Sequence, residues 1–173
     1  MPWVNFFILL VAVLLTQTGV VSLLGWRSLD VFLIATLACG LWLPRGDARL
    51  RCWILGLAQD LASADTLGIH ACALGLTGLL LTAMREWVNM NALTPRFVML
   101  FLAAFAGQAL YHAHLLFWAS GGDGTLARWL TDSATTAALA AILTLFASAA
   151  AANVGARRRR GGRSSTFRRI ARL

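Results

Sequence analysis

Apolar runs separated by short polar stretches make up most of the chain. They predict helices over about 4–24, 29–43, 50–63, 67–84, 97–119 and 127–152. A helix that crosses ~30 Å of hydrocarbon needs ~20 residues at ~1.5 Å each. The third run is too short to cross alone, so its last carbonyls need cover from neighbouring protein. The pattern predicts an all-α integral membrane protein, with about six short transmembrane helices in one bundle over residues 1–155.

The ends of several runs carry recognisable signals. The first run has no basic segment before it and no clear cleavage site, so we interpret it as a retained helix and not a signal peptide. Pro44 ends the second run. Asp65 or Thr66 suits the N-cap of the fourth helix. Residues 156–173 are too polar to be buried in a membrane and are predicted to form a basic cytoplasmic tail.

Composition supports the membrane interpretation. Hydrophobic residues make up 59% of the 173 residues and mean hydropathy is +0.72, whereas soluble domains are roughly half apolar. The net charge of +8 is carried by arginine and is concentrated at the C-terminus, so it indicates orientation and not fold.

Arginine placement predicts which side of the membrane each loop faces. With six crossings and a cytoplasmic C-terminus, only Arg27 and Arg128 lie outside. The inner segments then hold the tail and Arg45, Arg49, Arg51, Arg85 and Arg96. This bias satisfies the positive-inside rule and predicts that both termini are cytoplasmic.

Asp60 is a carboxylate inside an apolar helix. It follows Arg51 by nine residues, or ~13 Å along a helix, and a charge at that depth is unfavourable by at least ~3 kcal/mol. Asp60 is either a proton or cation site or a structural residue whose hydrogen bonds tie the end of the third helix to its neighbours. We favour the structural role, because a proton-relay transporter usually has several intramembrane acids and Asp60 is the one clear case here. Polar partners for it are available at Gln59, Ser63, Thr66, His70, Gln108 and His112.

The fifth helix carries further polar side chains. Gln108 and His112 share one face, whereas Tyr111 and His114 are predicted to point elsewhere. Because the two histidine rings lie on different faces, metal binding is disfavoured. Polar contacts of Gln108 and His112 inside the bundle are the better interpretation.

Small residues and cysteines complete the apolar helices. The pairs Ala71/Gly75 and Ala103/Gly107 favour close helix packing within the bundle, although such a face could also receive a partner helix. Three cysteines at positions 39, 52 and 72 have no disulfide or metal spacing and are interpreted as buried thiols.

The tail contains a run of arginines. By charge alone, Arg157, Arg158, Arg159 and Arg160 could bind nucleic acid. Because the tail follows a membrane bundle, binding to anionic lipid is a simpler interpretation than binding to nucleic acid. Each basic residue near the surface contributes ~1 kcal/mol to that attraction, so no nucleic acid is expected. A partner protein with an acidic face stays possible. The sequence contains no recognisable catalytic or phosphate-binding motif, so we expect no enzyme activity and no cofactor.

The stretch around Asp60 resembles a known family. Gly56-Leu57-x-x-Asp60-Leu61-x-Ser63, followed by Leu67-Gly68-Ile69-His70-Ala71, is similar to the MreD family of bacterial rod shape-determining inner-membrane proteins. Chain length, short helices, the basic loop and the basic tail agree with this. The motif residues are Gly56, Asp60, Leu61, Ser63, Leu67, Gly68 and His70.

The resemblance implies a non-catalytic membrane scaffold of the cell-elongation complex. Such proteins pair with the bitopic protein MreC, which bridges to the wall synthases RodA and penicillin-binding protein 2, and MreB filaments lie on the cytoplasmic side. The implied fold is similar to the substrate-binding subunits of energy-coupling-factor transporters. Asp60 and its turn would shape a bundle that clasps a partner helix. The arginines, including Arg45, Arg49 and Arg51, would face MreB and the inner leaflet.

Two other function classes stay open. A vitamin-binding transporter subunit should have an enclosed polar pocket, with ligand contacts from residues such as Trp118 or His112. A small proton- or ion-coupled transporter would be centred on Asp60.

Overall fold

The computed structural model describes residues 3–21, 23, 25, 29–63, 66–88, 90, 92–118 and 126–170. These residues form helices and no strand, so the all-α prediction is confirmed for this part of the chain. A π-helical segment, Thr16–Val21, follows the first helix. The helices are α1 Trp3–Leu15, α2 Val31–Trp42, α3 Arg45–Ala62, α4 Ile69–Met84, α5 Leu93–Trp118 and α6 Leu126–Ile170.

Three helices extend beyond their predicted bounds. Helix α3 begins at Arg45 and not near Leu50, because Pro44 and the first-turn acid Asp47 suit a helix start. Helix α5 includes Pro95 in its first turn, where a missing N–H costs no hydrogen bond. Helix α6 continues to Ile170 and not to about 152. The predicted basic surface of the tail lies outside the residues whose side chains are described.

Helix α2 lies at the centre of the bundle. It contacts α3, α4, α5 and α6, and most of its side chains are buried. The most extensive contact is between α3 and α4, and the next are those of α5 with α4 and with α6. The fully buried core side chains include Phe32, Leu33, Leu37, Leu55, Leu81 and Leu100.

Two helices of the described residues are long and apolar enough to cross a membrane, judged by their length and composition alone. They are Leu93–Leu116 and Leu126–Ala150. The other apolar helices, Trp3–Gly19, Val31–Trp42 and Ile69–Met84, are shorter. A short helix in lipid requires polar neighbours at its ends, because hydrocarbon forms no hydrogen bonds.

Both ends of α2 have such neighbours. With 12 residues, α2 is only ~18 Å long. At its start, the Leu33 N–H donates to Asp30 Oδ1 at 3.1 Å. At its end, Arg85 Nη1 donates to the carbonyls of Gly40 at 2.7 Å and Leu43 at 2.9 Å. Asp30 and Arg85 therefore stabilise the two ends of the central helix.

The prediction that Arg51 belongs to the basic surface facing the cytoplasm is wrong, because Arg51 is buried. Its side chain is only 1% exposed, and its guanidinium carbon lies 5.0 Å from the Trp3 ring centroid and 5.2 Å from that of Phe6. Nη2 also lies 3.5 Å from Asp47 Oδ2. The first turns of α1 cover this part of α3, and a weakly hydrated guanidinium packs well on aromatic rings.

The other two arginines predicted in this loop are exposed. Arg45 forms an ion pair with Glu86, and Arg49 Nε donates to Thr82 Oγ1 at 3.0 Å. These contacts join the start of α3 to the end of α4 while leaving Arg45 and Arg49 at the surface.

Small residues allow close helix approach inside the bundle. A Cβ on Gly107 would lie 2.1 Å from Thr77 Oγ1 and 2.8 Å from the Ala73 carbonyl oxygen, so α5 contacts α4 directly. Cys39 and Cys52 are free buried thiols, as predicted, but Cys72 is exposed. Cys72 lies on the outward face of α4, which its apolar neighbours in sequence do not indicate.

Candidate functional site

The Asp60 carboxylate lies buried where α3 meets the start of α4. Its Oδ2 accepts from the backbone N–H groups of Gly68 and Ala71, each at 3.0 Å. Its Oδ1 accepts from the His70 N–H at 2.9 Å and lies 3.0 Å from His70 Nδ1. We call Asp60, Gly68, His70 and Ala71 the Asp60 cluster. A helix N-terminus has unpaired N–H donors and a positive dipole end, so this carboxylate stabilises the start of α4.

The chain between α3 and α4 brings these donors to the carboxylate. Ser63 ends α3, and its N–H donates to the Gln59 carbonyl at 2.9 Å. The N-cap of α4 is Gly68, with φ of 99° and no side-chain cap. Thr66 precedes the helix without capping it, which corrects the predicted N-cap, and Asp65 lies outside the described residues. Asp60 supplies the hydrogen bonds that a local cap would otherwise make.

Gly56 allows the two helices to meet at this point. A Cβ on Gly56 would lie 2.5 Å from both the Ala71 Cα and the His70 carbonyl oxygen. Backbone therefore packs against backbone one turn before Asp60. This close approach places the Asp60 carboxylate within hydrogen-bonding distance of the first turn of α4.

The predicted side-chain partners of Asp60 separate into two groups. His70 contacts the carboxylate, and Ser63 Oγ donates to the Asp60 carbonyl oxygen at 3.4 Å. Gln59 and Gln108 instead bind Asp30. His112 Nδ1 lies 3.1 Å from the Gln108 carbonyl oxygen and 3.3 Å from Ser133 Oγ, and so joins α5 to α6. Most donors to Asp60 are backbone groups.

Two motif leucines do not lie in the core. Leu61 is 72% exposed and Leu67 is 70% exposed. They lie between Asp60 and Gly68 in sequence, on the surface of the bundle.

A polar cavity of about 480 Å³ lies beside the Asp60 cluster. Its described lining comes from α4, α5 and α6, the end of α3, the π-helical segment and the residues before α2. These residues are Gln17, Leu29, Asp30, Gln59, His70, Ala73, Leu74, Gln108, Tyr111, His112, Arg128, Asp132 and Thr136. Asp60 is not among them.

The prediction that Tyr111 points away from the face of Gln108 and His112 did not indicate that all three residues line one cavity. Tyr111 lines the same cavity, and its ring centroid lies 4.7 Å from that of His70 and 5.3 Å from that of His112. The cavity is wide enough to contact two adjacent faces of α5.

Asp30 is the polar residue that sequence reasoning missed. Its Oδ2 lies 3.4 Å from both Gln59 Nε2 and Gln108 Nε2, and the neighbouring Val31 N–H donates to Gln17 Oε1 at 2.9 Å. The available signal was an aspartate directly before an apolar run, which is typical of an N-cap. In the described residues, no three His, Cys, Asp or Glu side chains lie close enough to hold a metal ion.

The left-handed conformation of Gly68 gives one prediction for this site. Gly68→Ala is expected to lower the free energy of unfolding by ~1–2 kcal/mol, because an L side chain is strained at positive φ. No atom blocks the new methyl group, so a thermal unfolding scan of the purified variant measures backbone strain without a steric clash, offset in part by the smaller entropy of the unfolded chain. An unchanged midpoint would mean that the chain before α4 relaxes without cost.

Comparison with known proteins identifies the family of this chain. The family model described as rod shape-determining protein MreD matches residues 1–122. No curated protein and no solved structure matches significantly. The matched region contains α1 to α5, the Asp60 cluster and the two exposed leucines. The chain therefore belongs to the MreD family of bacterial rod shape-determining inner-membrane proteins.

Proposed function

We propose that this protein is a non-catalytic scaffold of the cell-elongation complex. It binds an MreC-like bitopic protein, links RodA and penicillin-binding protein 2 to the complex, and faces MreB on the cytoplasmic side. The family match over residues 1–122 carries this proposal. The Asp60 cluster supports it, because backbone donors of the same chain surround the carboxylate.

We propose six crossings, with both termini cytoplasmic and a fold similar to the substrate-binding subunits of energy-coupling-factor transporters. Short helices with polar neighbours at their ends support this topology. In this orientation Arg45, Arg49 and the tail arginines face the cytoplasm and anionic lipid, whereas the polar cavity lies near the outer side.

The exposed apolar face of α3 is the proposed contact for the partner helix. Trp53, Leu57 and Leu61 are spaced four residues apart and are 49%, 46% and 72% exposed, so they form one stripe. We call these three residues the α3 stripe. Leu57 and Leu61 belong to the motif around Asp60, and the stripe ends beside the Asp60 cluster. A transmembrane helix packed on it would bury side chains that the bundle itself leaves uncovered.

A co-purification experiment tests this contact. The full chain carries an affinity tag and is co-expressed with an MreC-like bitopic partner, and the partner recovered per folded scaffold is measured after detergent extraction. The double substitution Leu57→Ala and Leu61→Ala is expected to lower recovery about tenfold, because ~1.4 kcal/mol corresponds to a factor of ten. Leu139→Ala with Leu143→Ala is the matched control, since these α6 leucines have the same spacing and are each 41% exposed.

Equal recovery by the two double variants would place the contact elsewhere on the protein. Failure of the unaltered chain to recover any bitopic partner would overturn the scaffold proposal. Thermal unfolding of each variant alone must match the unaltered chain, so that lost recovery reports binding and not folding.

A further inference from the structure

The polar cavity is not needed by a scaffold that binds partners through its outer faces. Its volume of about 480 Å³ lies within the ~300–1,000 Å³ of small-molecule sites. Most of the buried core is apolar, whereas hydrogen-bonding side chains from separate segments converge on this cavity. Space of this kind inside a helical bundle suits a small polar ligand.

The part of the cavity around Asp30 offers hydrogen-bond acceptors. Asp30 Oδ2 has two amide nitrogens at 3.4 Å, well beyond the ~2.7–2.9 Å of a strong charge-assisted hydrogen bond. Gln59 Oε1 is buried and has no hydrogen-bond partner in the described part of the chain. Turning the Gln59 amide over would bring its oxygen towards the Asp30 carboxylate, so the present orientation is preferred. Within the described residues, Gln59 Oε1 therefore has no donor and Asp30 Oδ2 has two amide nitrogens at 3.4 Å, whereas Asp30 Oδ1 accepts from the Leu33 N–H.

The charges lining the cavity also favour a positively charged hydrogen-bond donor. Asp30 and Asp132 contribute carboxylates, and Arg128, an exposed residue one turn before Asp132, is the cationic residue of the described lining. Asp30 forms no salt bridge within the described residues. The Tyr111 ring, tilted by 38° from that of His70, adds an aromatic face that attracts cations.

We propose that this cavity binds a small polar molecule carrying a protonated amino group. The ammonium group donates to the Asp30 carboxylate and to Gln59 Oε1, and it lies near the Tyr111 ring. An ammonium group offers three donors and no acceptor, which complements these groups. The proposal goes beyond the scaffold function and does not depend on the partner.

Two amine and alcohol pairs test the ligand class. The full chain, purified in detergent at pH 7, is titrated with ethanolamine or ethylene glycol, and with 1,5-diaminopentane or 1,5-pentanediol. Each pair differs by replacing amino groups with hydroxyl groups. We expect the amines to raise the thermal unfolding midpoint in a saturable manner, and the alcohols to bind at least about tenfold more weakly, as measured by calorimetry.

Substitutions of cavity residues test whether the amines bind in the cavity. Asp30→Asn keeps an oxygen that can cap α2 but removes the carboxylate charge, and it is expected to weaken amine binding at least about tenfold. Asp47→Asn, at the other end of α3, is the matched control and should bind the amines unchanged. Should Asp30→Asn fail to fold, Thr136→Trp provides a second variant, because it fills the cavity from α6 and leaves the α2 cap intact.

The proposal fails if the alcohols bind as well as the amines, if no amine saturates, or if the Asp30 and Thr136 variants that fold retain full amine binding. None of these results affects the recovery of a bitopic partner, so the scaffold function and the ligand site are tested separately.

Discussion

Asp60→Ala is expected to remove most of the folded protein from the membrane. The substitution leaves the N–H groups of Gly68, His70 and Ala71 without their acceptor, and hydrocarbon offers no replacement. Each unsatisfied buried donor costs ~1–3 kcal/mol, so the total approaches the ~5–15 kcal/mol that stabilises a folded protein. The measurement is the yield of monodisperse protein after detergent extraction, relative to total expressed chain.

Asp60→Asn distinguishes this structural role from ion transport. The amide keeps one oxygen but directs an NH₂ group at backbone donors, so folded protein should again fall sharply. Asp132→Ala, at an exposed carboxylate on α6, should stay near the level of the unaltered chain. A transport site would give the opposite result, with abundant folded Asp60→Asn protein that has lost an ion flux.

The need for hydrogen-bond partners at Asp60 was predictable from the sequence, but the identity of those partners was not. A lone carboxylate in an apolar helix must be satisfied in some way, and that requirement identified the site. Side chains are visible in a sequence, so Gln108 and His112 were natural candidate partners. The donors actually present are mainly backbone N–H groups of α4, which every sequence contains. Only the path of the chain brings them to the carboxylate.

Arg51 and Asp30 show two further limits of sequence reasoning. The positive-inside rule places an arginine near the cytoplasmic side, but it does not say whether the side chain faces water. Trp3 and Phe6, distant in sequence, cover Arg51 in the folded chain. Asp30 was predictable as a helix cap from its position before an apolar run. Its second role in the cavity depends on glutamines from α3 and α5, which no local pattern brings together.

Gly56→Ala is expected to separate α3 from α4 and to destabilise the protein strongly. A methyl group at Gly56 would lie 2.5 Å from the Ala71 Cα and the His70 carbonyl oxygen. Backbone atoms cannot turn away as a flexible side chain can, so the cost lies at the upper end of the ~1–3 kcal/mol typical of overpacking. The separation also lengthens the hydrogen bonds to Asp60. Thermal unfolding and the yield of monodisperse protein measure the loss.

Gly46→Ala is the matched control because it lies in the same helix with nothing within 4 Å of its added methyl group. Alanine is favoured over glycine in a helix interior by ~1 kcal/mol, so propensity alone would stabilise Gly56→Ala and, to a smaller extent, Gly46→Ala in the first turn of α3. Opposite outcomes, with Gly46→Ala unchanged or more stable and Gly56→Ala much less stable, would isolate the contact between α3 and α4. If Gly56→Ala instead folded like the control, the two backbones would not meet there, and Asp60 would reach the first turn of α4 without that close packing.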